Sequence, residues 1–253
     1  MDLGLKGKRA IVTGGSRGIG RRIVDLLVAE GCAVGFCARN KDEVDDAVSV
    51  LSKGIATVIG GVVDVTDDAV CRTWVSETAT ALGGLDILIP NASALVGGVD
   101  EEAWRKGLEV DVLGTVRAVE AAMPFLEDSN DASIVAISST AAVNTSGGVR
   151  AYSGVKAALI SYMSGLSTAY GSKGIRANTV SPGAIYFEGG VWDVRKRNDP
   201  KAYDAAVARN PMKRLGTPEE VANGAVFLAS PAASFISGTN LIVDGAATTR
   251  VQF

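Results

Sequence analysis

The sequence predicts a single α/β domain of the doubly wound, Rossmann type, with a parallel sheet covered by helices on both faces. Three observations support this prediction: the length of 253 residues, the alternation of short apolar runs with longer helical patterns, and a glycine-rich turn after the first strand. This length fits one large α/β domain, and strands that alternate with helices indicate parallel βαβ units. A closed barrel would need an eighth strand that we do not find.

Short runs rich in β-branched residues predict strands at 8–13, 33–38, 56–65, 86–90, 133–138, 176–180 and 240–243. Helical periodicity between them predicts helices at 18–30, 41–51, 67–82, 101–126, 152–171 and 218–228. The segment 185–213 interrupts this alternation, so we predict an irregular lid that covers the substrate. No linker divides the chain, so residues 1–253 are predicted to form one domain.

Charge and composition narrow the classes of function. The 25 Lys and Arg against 28 Asp and Glu give a net charge of -3, which argues against a nucleic-acid binder. The chain has no histidine, so a Ser-His-Asp triad and a His-ligated zinc are excluded, and we expect no metal. The three cysteines lack CxxC spacing and suit a reducing cytoplasm. No apolar run reaches the roughly 18 residues of a membrane span, so we expect a soluble protein.

A glycine-rich turn joins the first strand to the first helix, with the sequence TGGSRGIG at residues 13–20. Glycines at such a turn let backbone N–H groups and the helix N-terminus approach a pyrophosphate. The spacing is GxxxGxG rather than GxGxxG, so the turn needs support from other residues. The candidate cofactor contacts in this turn are Gly14, Ser16, Arg17, Gly18, Ile19 and Gly20.

The end of the second strand indicates which dinucleotide is bound. An acidic residue there would accept from the ribose 2′-OH of NAD, whereas an arginine suits the 2′-phosphate of NADP. Arg39 follows the strand, and Arg17 could approach the same phosphate from the glycine turn. We therefore predict that NADP(H) is preferred, with NAD(H) as an alternative. Asp64 and Val65, after the third strand, are placed to hold the adenine edge.

The candidate acid–base group is Tyr152 in the segment YSGVK. Residues i and i+4 share a helix face, so the Lys156 ammonium can lie near the Tyr152 phenol and favour its phenolate form. A protein without histidine needs such a group for proton transfer. Ser139 lies thirteen residues earlier, after a strand, where its hydroxyl could hydrogen-bond the carbonyl oxygen that Tyr152 protonates.

Together these segments resemble the short-chain dehydrogenase/reductase family over nearly the whole chain. The resemblance rests on TGGSRGIG (13–20), Asp64, PNAS (90–93), Ser139, YSGVK (152–156), NTVSPG (178–183), RLGTPEEVA (214–222) and SGTNLIVDG (237–245). RLGTPEEVA and the late VDG are similar to the subgroup named for 3-oxoacyl-[acyl-carrier-protein] reductases. The resemblance implies a seven-stranded sheet, an NAD(P)-dependent oxidoreductase of carbonyl or alcohol groups, and a homotetramer.

The resemblance also implies roles for individual residues. Ser139 orients the substrate, Tyr152 is the acid–base group, and Lys156 acts on Tyr152 while holding the nicotinamide ribose. Five further candidate cofactor contacts are Asn91, Ala92, Pro182, Gly183 and Ile185.

Three positions depart from the family pattern. Ser93 replaces the glycine of the usual Asn-Ala-Gly, which narrows the space near the nicotinamide. Asp111 replaces the usual asparagine of the fourth catalytic position, where the main-chain carbonyl serves a proton-relay water, so we expect Asp111 to suffice. Phe187 stands where a threonine usually contacts the nicotinamide amide.

The predicted substrate pocket is mostly apolar, and its candidate residues are Ser93, Leu95, Thr140, Val143, Phe187 and Trp192. A hydrophobic or aromatic ketone, a 3-oxoacyl thioester and a cyclic alcohol fit it about equally. The basic run 195–197 could meet an acyl carrier protein or a CoA phosphate, although a charge run is more often a solvated helix face.

The leading hypothesis is an NADPH-dependent ketone reductase. An NAD-dependent secondary alcohol dehydrogenase and a non-catalytic NADP-binding regulatory protein are the alternatives. The predicted helices 101–126 and 152–171 each carry a second apolar face, which predicts self-association. The family resemblance extends this to a tetramer in which the tail 248–253 lies near a neighbouring subunit. The residues that suggest this face are Val112, Val116, Val119, Leu159, Tyr162 and Met163.

Overall fold

The computed structural model describes residues 1–54, 56–144 and 147–249. Its strands are β1 Arg9–Thr13, β2 Ala33–Ala38, β3 Val58–Val62, β4 Ile87–Ile89, β5 Ser133–Ile137, β6 Arg176–Pro182 and β7 Asn240–Val243. They form one seven-stranded sheet in the order β3-β2-β1-β4-β5-β6-β7, and every neighbouring pair is parallel. The predicted doubly wound sheet is confirmed. The chain order reverses between β1 and β4, which is where ligands bind in such folds.

Helices cover both faces of the sheet. The described helices are α1 Gly18–Ala29, α2 Lys41–Leu51, α3 Asp68–Ala81, α4 Glu101–Gly107, α5 Gly114–Glu127, α6 Ala151–Tyr170, α7 Val191–Asn198, α8 Pro200–Arg209 and α9 Pro218–Ala229. One apolar core includes α1, α2 and α9, and the other includes α3, α5 and α6. Within the described ranges, no helix has the length and apolar character needed to cross a membrane.

The third strand is shorter than the predicted 56–65, because the chain turns after it. Asp64 accepts hydrogen bonds from the Thr66 main-chain nitrogen at 3.0 Å and from the Thr66 hydroxyl at 2.8 Å. This local turn diverts the backbone from the sheet ladder. Asp64 is therefore exposed beside the carboxyl ends of the strands rather than inside one.

The prediction of one helix over 101–126 is wrong in its detail. The segment contains α4, a π-helical turn at Leu108–Leu113, and α5. A π turn adds one residue to a helix and often occurs at functional sites. It leaves the apolar spacing on either side nearly helical, so the sequence pattern did not reveal it. Its consequence is that Asp111 is buried inside the protein.

The irregular backbone predicted for the segment 185–213 is wrong, because most of it folds into α7 and α8. Its role as a lid over the substrate stays a prediction. Asp199 begins α8 by accepting from the Ala202 nitrogen at 3.1 Å, and Pro200 occupies a first-turn position that tolerates proline. The Tyr186 and Tyr203 rings meet edge to face at 6.1 Å. Strong charge and two prolines hid these helices in the sequence.

Candidate active site

The glycine turn between β1 and α1 forms a cradle with no room for side chains. Gly14 and Gly18 have φ of +68° and +58°, a region that favours glycine. A Cβ on Gly20 would lie 2.1 Å from the Gly14 carbonyl oxygen. The N-terminus of α1 opens from this turn and carries no acidic residue in its first turn. The turn therefore fits the diphosphate of a dinucleotide.

Asn91, which follows β4, hydrogen-bonds the main chain of the glycine turn. Its side-chain amide donates to the main-chain oxygens of Thr13 at 3.1 Å and Gly14 at 2.9 Å. The nitrogens of Asn91 and Ala92 both donate to the Thr13 hydroxyl. The predicted residues on β1 and after β4 are thus brought together at the switch point of the sheet.

Charged residues surround the predicted adenosine end of this site. Arg17 and Arg39 are both exposed. Burial tends to raise the pKa of Asp64, but hydrogen bonds from Thr66 and the charge of Arg39 outweigh it and hold that pKa below its usual range.

The sequence interpretation missed Glu43, which lies beside the same site. The Ser16 hydroxyl donates to the Glu43 carboxylate at 2.8 Å. Asn40 begins α2 by accepting from the Glu43 nitrogen, so Glu43 is in the first turn of that helix and points back to the glycine turn. A single acid in an ordinary helix start carries no sequence pattern that would have identified it.

The predicted serine, tyrosine and lysine lie where β5 meets α6. Ser139 follows β5 and accepts from the Ala141 nitrogen at 3.1 Å. The Ser138 hydroxyl donates to the Lys156 main-chain oxygen at 2.9 Å, and the Lys156 Nζ donates to the Ile137 oxygen at 3.0 Å. The Lys156 Nζ is 5.8 Å from the Tyr152 ring centroid.

Close helix packing holds α6 in this position. A Cβ on Gly154 would lie only 2.1 Å from the Trp104 indole of α4. The glycine between Tyr152 and Lys156 therefore lets α4 pack directly against the turn that carries both residues.

Asp111 enters the same cluster through its carboxylate. Its Oδ1 lies 2.9 Å from the Lys156 Nζ, and each side chain is 2% exposed. The Ser93 hydroxyl donates to Oδ1 at 2.6 Å, and the Ala94 nitrogen donates to Oδ2 at 2.9 Å. The main-chain oxygen of Asp111 accepts from the Thr115 hydroxyl at 2.7 Å. The Asp111 side chain thus contacts Lys156 directly, a contact that the expected main-chain role of this position does not include.

The predicted substrate residues lie on several separate segments of the chain. Leu95 is exposed with φ of +48°, and Thr140 and Val143 lie in and just after the short 3₁₀ turn that follows Ser139. Phe187 packs over the cofactor turn instead, since a Cβ on Gly18 would lie 2.7 Å from its ring. The Trp192 ring stacks with Arg195 at 4.8 Å.

The remaining predicted cofactor residues lie after β6. Pro182 ends that strand, and the Gly183 nitrogen donates to the Val243 oxygen at 3.0 Å. Ile185 forms an isolated parallel β-bridge with Gly216. These residues continue the same carboxyl edge of the sheet toward α7.

The cysteines are unsuited to the chemistry of this site. All three are buried and unpaired, and burial raises the pKa of the Cys32 and Cys37 thiols to about 12. The described part of the chain has no cluster of acidic or thiol side chains that could hold a metal ion. The ionisable groups of the cluster around Ser139 are therefore Tyr152, Lys156 and Asp111.

The fold and this cluster define an NAD(P)-dependent oxidoreductase. Residues 14–248 match a family model described as enoyl-(acyl carrier protein) reductase. The chain is 41% identical to isoepoxydon dehydrogenase patN of Penicillium expansum, over 100% of this chain and 99% of that protein. It is 30% identical to the 3-oxoacyl-[acyl-carrier-protein] reductase FabG of Vibrio cholerae, over 96% and 98%.

A solved structure shows the same fold. A short chain dehydrogenase from Burkholderia cenocepacia J2315, in complex with NADP, superposes with a TM-score of 0.88 and 31% identity, over 96% of this chain and 99% of that one. The chain belongs to the short-chain dehydrogenase/reductase family.

Proposed function

We propose that the protein interconverts a ketone and a secondary alcohol with NADP(H), with reduction by NADPH as the leading direction. The observation that carries this proposal is the cluster of Ser139, Tyr152 and Lys156 at the carboxyl edge of the sheet, beside the glycine turn. The turn holds the diphosphate, and Lys156 holds the nicotinamide ribose. The bound nicotinamide supplies or accepts the hydride.

The side chains of the cluster transfer the proton to or from the substrate oxygen. In reduction, the Tyr152 hydroxyl donates to the oxygen of the substrate carbonyl, while the Ser139 hydroxyl hydrogen-bonds the same oxygen. The buried Lys156 ammonium stabilises negative charge on the phenolic oxygen after transfer. In the reverse direction, Tyr152 accepts the proton of the alcohol.

The dehydrogenase direction has its own support. The relative that is 41% identical over the full chain is named as a dehydrogenase, whereas the relative named as a reductase is 30% identical. The same cluster serves both directions, so the cellular direction depends on the substrate and cofactor supplied. An NAD-dependent secondary alcohol dehydrogenase therefore remains the second candidate.

A small-molecule substrate fits the lid better than an acyl carrier protein. Arg197 pairs with Asp193 at 2.8 Å, Arg195 stacks on Trp192, and Lys196 lies 5.2 Å and 5.4 Å from the Tyr186 and Tyr203 rings. Each cation of the basic run thus already has a partner within the lid. We infer that this run stabilises α7 and α8 over the pocket.

Preference for NADP(H) over NAD(H) is proposed to come from Arg17, Arg39 and Ser16. We expect Arg39→Asp to weaken NADPH binding by about 10–150-fold, because a charge-assisted contact contributes roughly 1.5–3 kcal/mol. Glu43→Gln should instead strengthen NADPH binding, because it removes a negative charge beside the phosphate site and weakens the acceptor that holds the Ser16 hydroxyl. Titration of protein fluorescence with NADPH and NADH measures both effects.

Arg105→Asp is the matched control, since Arg105 is an exposed arginine paired with Glu101 on α4. It should leave both affinities unchanged. Equal affinity of the wild type for NADH and NADPH, or an Arg39→Asp variant that keeps its NADPH preference, would contradict the phosphate assignment.

Self-association is expected from a narrower surface than the sequence indicated. Val119, Leu159 and Met163 are buried within the chain and cannot form an interface. Leu108 and Leu113, in the π turn, are 40% and 42% exposed and would lie in the proposed tetramer contact. Of the tail that should reach a neighbour, residues 250–253 lie outside the described residues.

Light scattering tests this expectation. We expect a particle of four chains at micromolar concentration, and substitution of both Leu108 and Leu113 by Ser should reduce its mass. A particle of one 26.0 kDa chain would overturn the assignment.

A further inference from the structure

We propose that Asp111 is a positioning residue whose carboxylate fixes the Lys156 ammonium, and that Ser93 acts on the reaction only through Asp111. This inference rests on the proposed function and deepens it. Ser93 and Asp111, two separate departures from the family pattern, then act together on the catalytic lysine.

The burial of Lys156 requires a counter-charge. Taking an ammonium out of water is costly unless it is paired and hydrogen-bonded. The Lys156 Nζ has two such contacts, the Asp111 Oδ1 at 2.9 Å and the Ile137 oxygen at 3.0 Å. An ammonium has three N–H donors, so these two contacts fix the direction in which the third points. The carboxylate thereby sets both the position and the charge balance of the lysine.

The donors around residue 111 require a carboxylate rather than an amide. Lys156 and Ser93 both donate to Oδ1, and the Ala94 nitrogen donates to Oδ2. Asparagine at this position would present an NH₂ group to one of these donors. Two facing donors would turn the side chain away and release Lys156 from its fixed position. Asp is therefore the residue type that this arrangement needs.

Ser93 orients the carboxylate from the loop after β4. Its hydroxyl, 2.6 Å from Oδ1, is the closest donor to Asp111. Its Oγ also accepts from the Leu95 nitrogen at 3.2 Å, which fixes the hydroxyl in the loop. This geometry assigns Ser93 to Asp111 rather than to the substrate.

The pair of opposite charges also determines the field at Tyr152. The ionisable groups that the described contacts bring to the Lys156 Nζ are Asp111 from the π turn and Tyr152 from its own helix. Asp111→Asn removes the negative charge beside Lys156, so the electrostatic field at the Tyr152 phenol changes. The pH dependence of the reduction rate should then differ from that of the wild type.

The test compares Asp111→Asn, Ser93→Ala and the double variant, with Asp68→Asn as an exposed control. For Asp111→Asn we expect kcat to fall by about 10-fold or more with little change in the KM for the carbonyl substrate, because a misplaced catalytic group loses alignment. The pH profile of kcat should differ from that of the wild type, because the charge balance at Lys156 has changed. Ser93→Ala should lower kcat by a smaller factor with KM unchanged, and the double variant should match Asp111→Asn alone.

Two measurements keep the outcome decisive. NADPH titration by protein fluorescence and the thermal unfolding midpoint show whether each variant is folded and binds cofactor, and we expect Asp111→Asn to bind NADPH more weakly as Lys156 loses its fixed position. A wild-type pH profile in Asp111→Asn, or effects of the two substitutions that multiply, would overturn the proposal. If Tyr152→Phe keeps its activity, the proposed function fails instead, so the two failures are distinguishable.

Discussion

Replacing Tyr152 with Phe is expected to lower carbonyl reduction by about 10²–10⁴-fold, the usual contribution of general acid catalysis. The substitution removes one phenolic oxygen and leaves the ring that packs beside Lys156. The substrate oxygen would then develop negative charge with only Ser139 and the ammonium to stabilise it. NADPH binding should survive, because the glycine turn, Arg39 and Lys156 are unchanged. Steady-state kinetics together with NADPH titration measure the two effects separately.

Tyr162→Phe is the matched control, since Tyr162 lies on the same helix α6. Burial raises the pKa of Tyr162 to about 12, so its phenol stays protonated near neutral pH. This variant should retain wild-type turnover. A Tyr152→Phe protein that reduces its ketone at nearly the wild-type rate would show that the proton comes from another group.

Replacing Lys156 with Met is expected to have a broader effect than Tyr152→Phe. Turnover should fall by about 10²–10⁴-fold, and NADPH affinity should fall too, because one ammonium serves both the phenol and the ribose. Stability should also decrease by about 3–5 kcal/mol, because the buried Asp111 carboxylate loses its counter-charge. Chemical denaturation measures the free energy of unfolding, and the other two effects come from kinetics and titration.

The double variant Lys156→Met with Asp111→Asn separates stability from catalysis. Removing both charges should recover much of the lost stability, while turnover stays low because the ammonium is still absent. If the single Lys156→Met variant is as stable as the wild type, the ion pair with Asp111 does not contribute as the geometry indicates.

The sequence predicted the sheet well because parallel strands buried on both faces carry continuous apolar runs. β2, β7 and α2 have the predicted bounds, and Lys156 lies one helical turn after Tyr152 as the i, i+4 spacing requires. Glycines in the turn at 13–20 were informative for a steric reason: only glycine fits where a Cβ would meet the backbone.

The details that the sequence did not reveal depend on contacts between distant residues. The π turn at Leu108–Leu113 aims Asp111 inward, and only then does its carboxylate meet Lys156 and Ser93. Glu43 reaches Ser16 across 27 positions of the chain, so no local pattern links them. The helices α7 and α8 are short and strongly charged, and tertiary contacts such as that between the Tyr186 and Tyr203 rings support them instead of an apolar stripe.

The most direct test of the central claim mixes the protein with NADPH and a panel of aliphatic, aromatic and cyclic ketones, and follows nicotinamide absorbance and alcohol formation. The reverse reaction uses NADP⁺ with the matching secondary alcohols, and Tyr152→Phe serves as the inactive comparison. We predict that the wild type converts NADPH and a ketone into equal amounts of NADP⁺ and alcohol, while Tyr152→Phe binds NADPH without turnover. A wild-type protein that binds NADPH tightly, yet turns over no better than Tyr152→Phe in either direction, would contradict the account and indicate a non-catalytic NADP-binding protein.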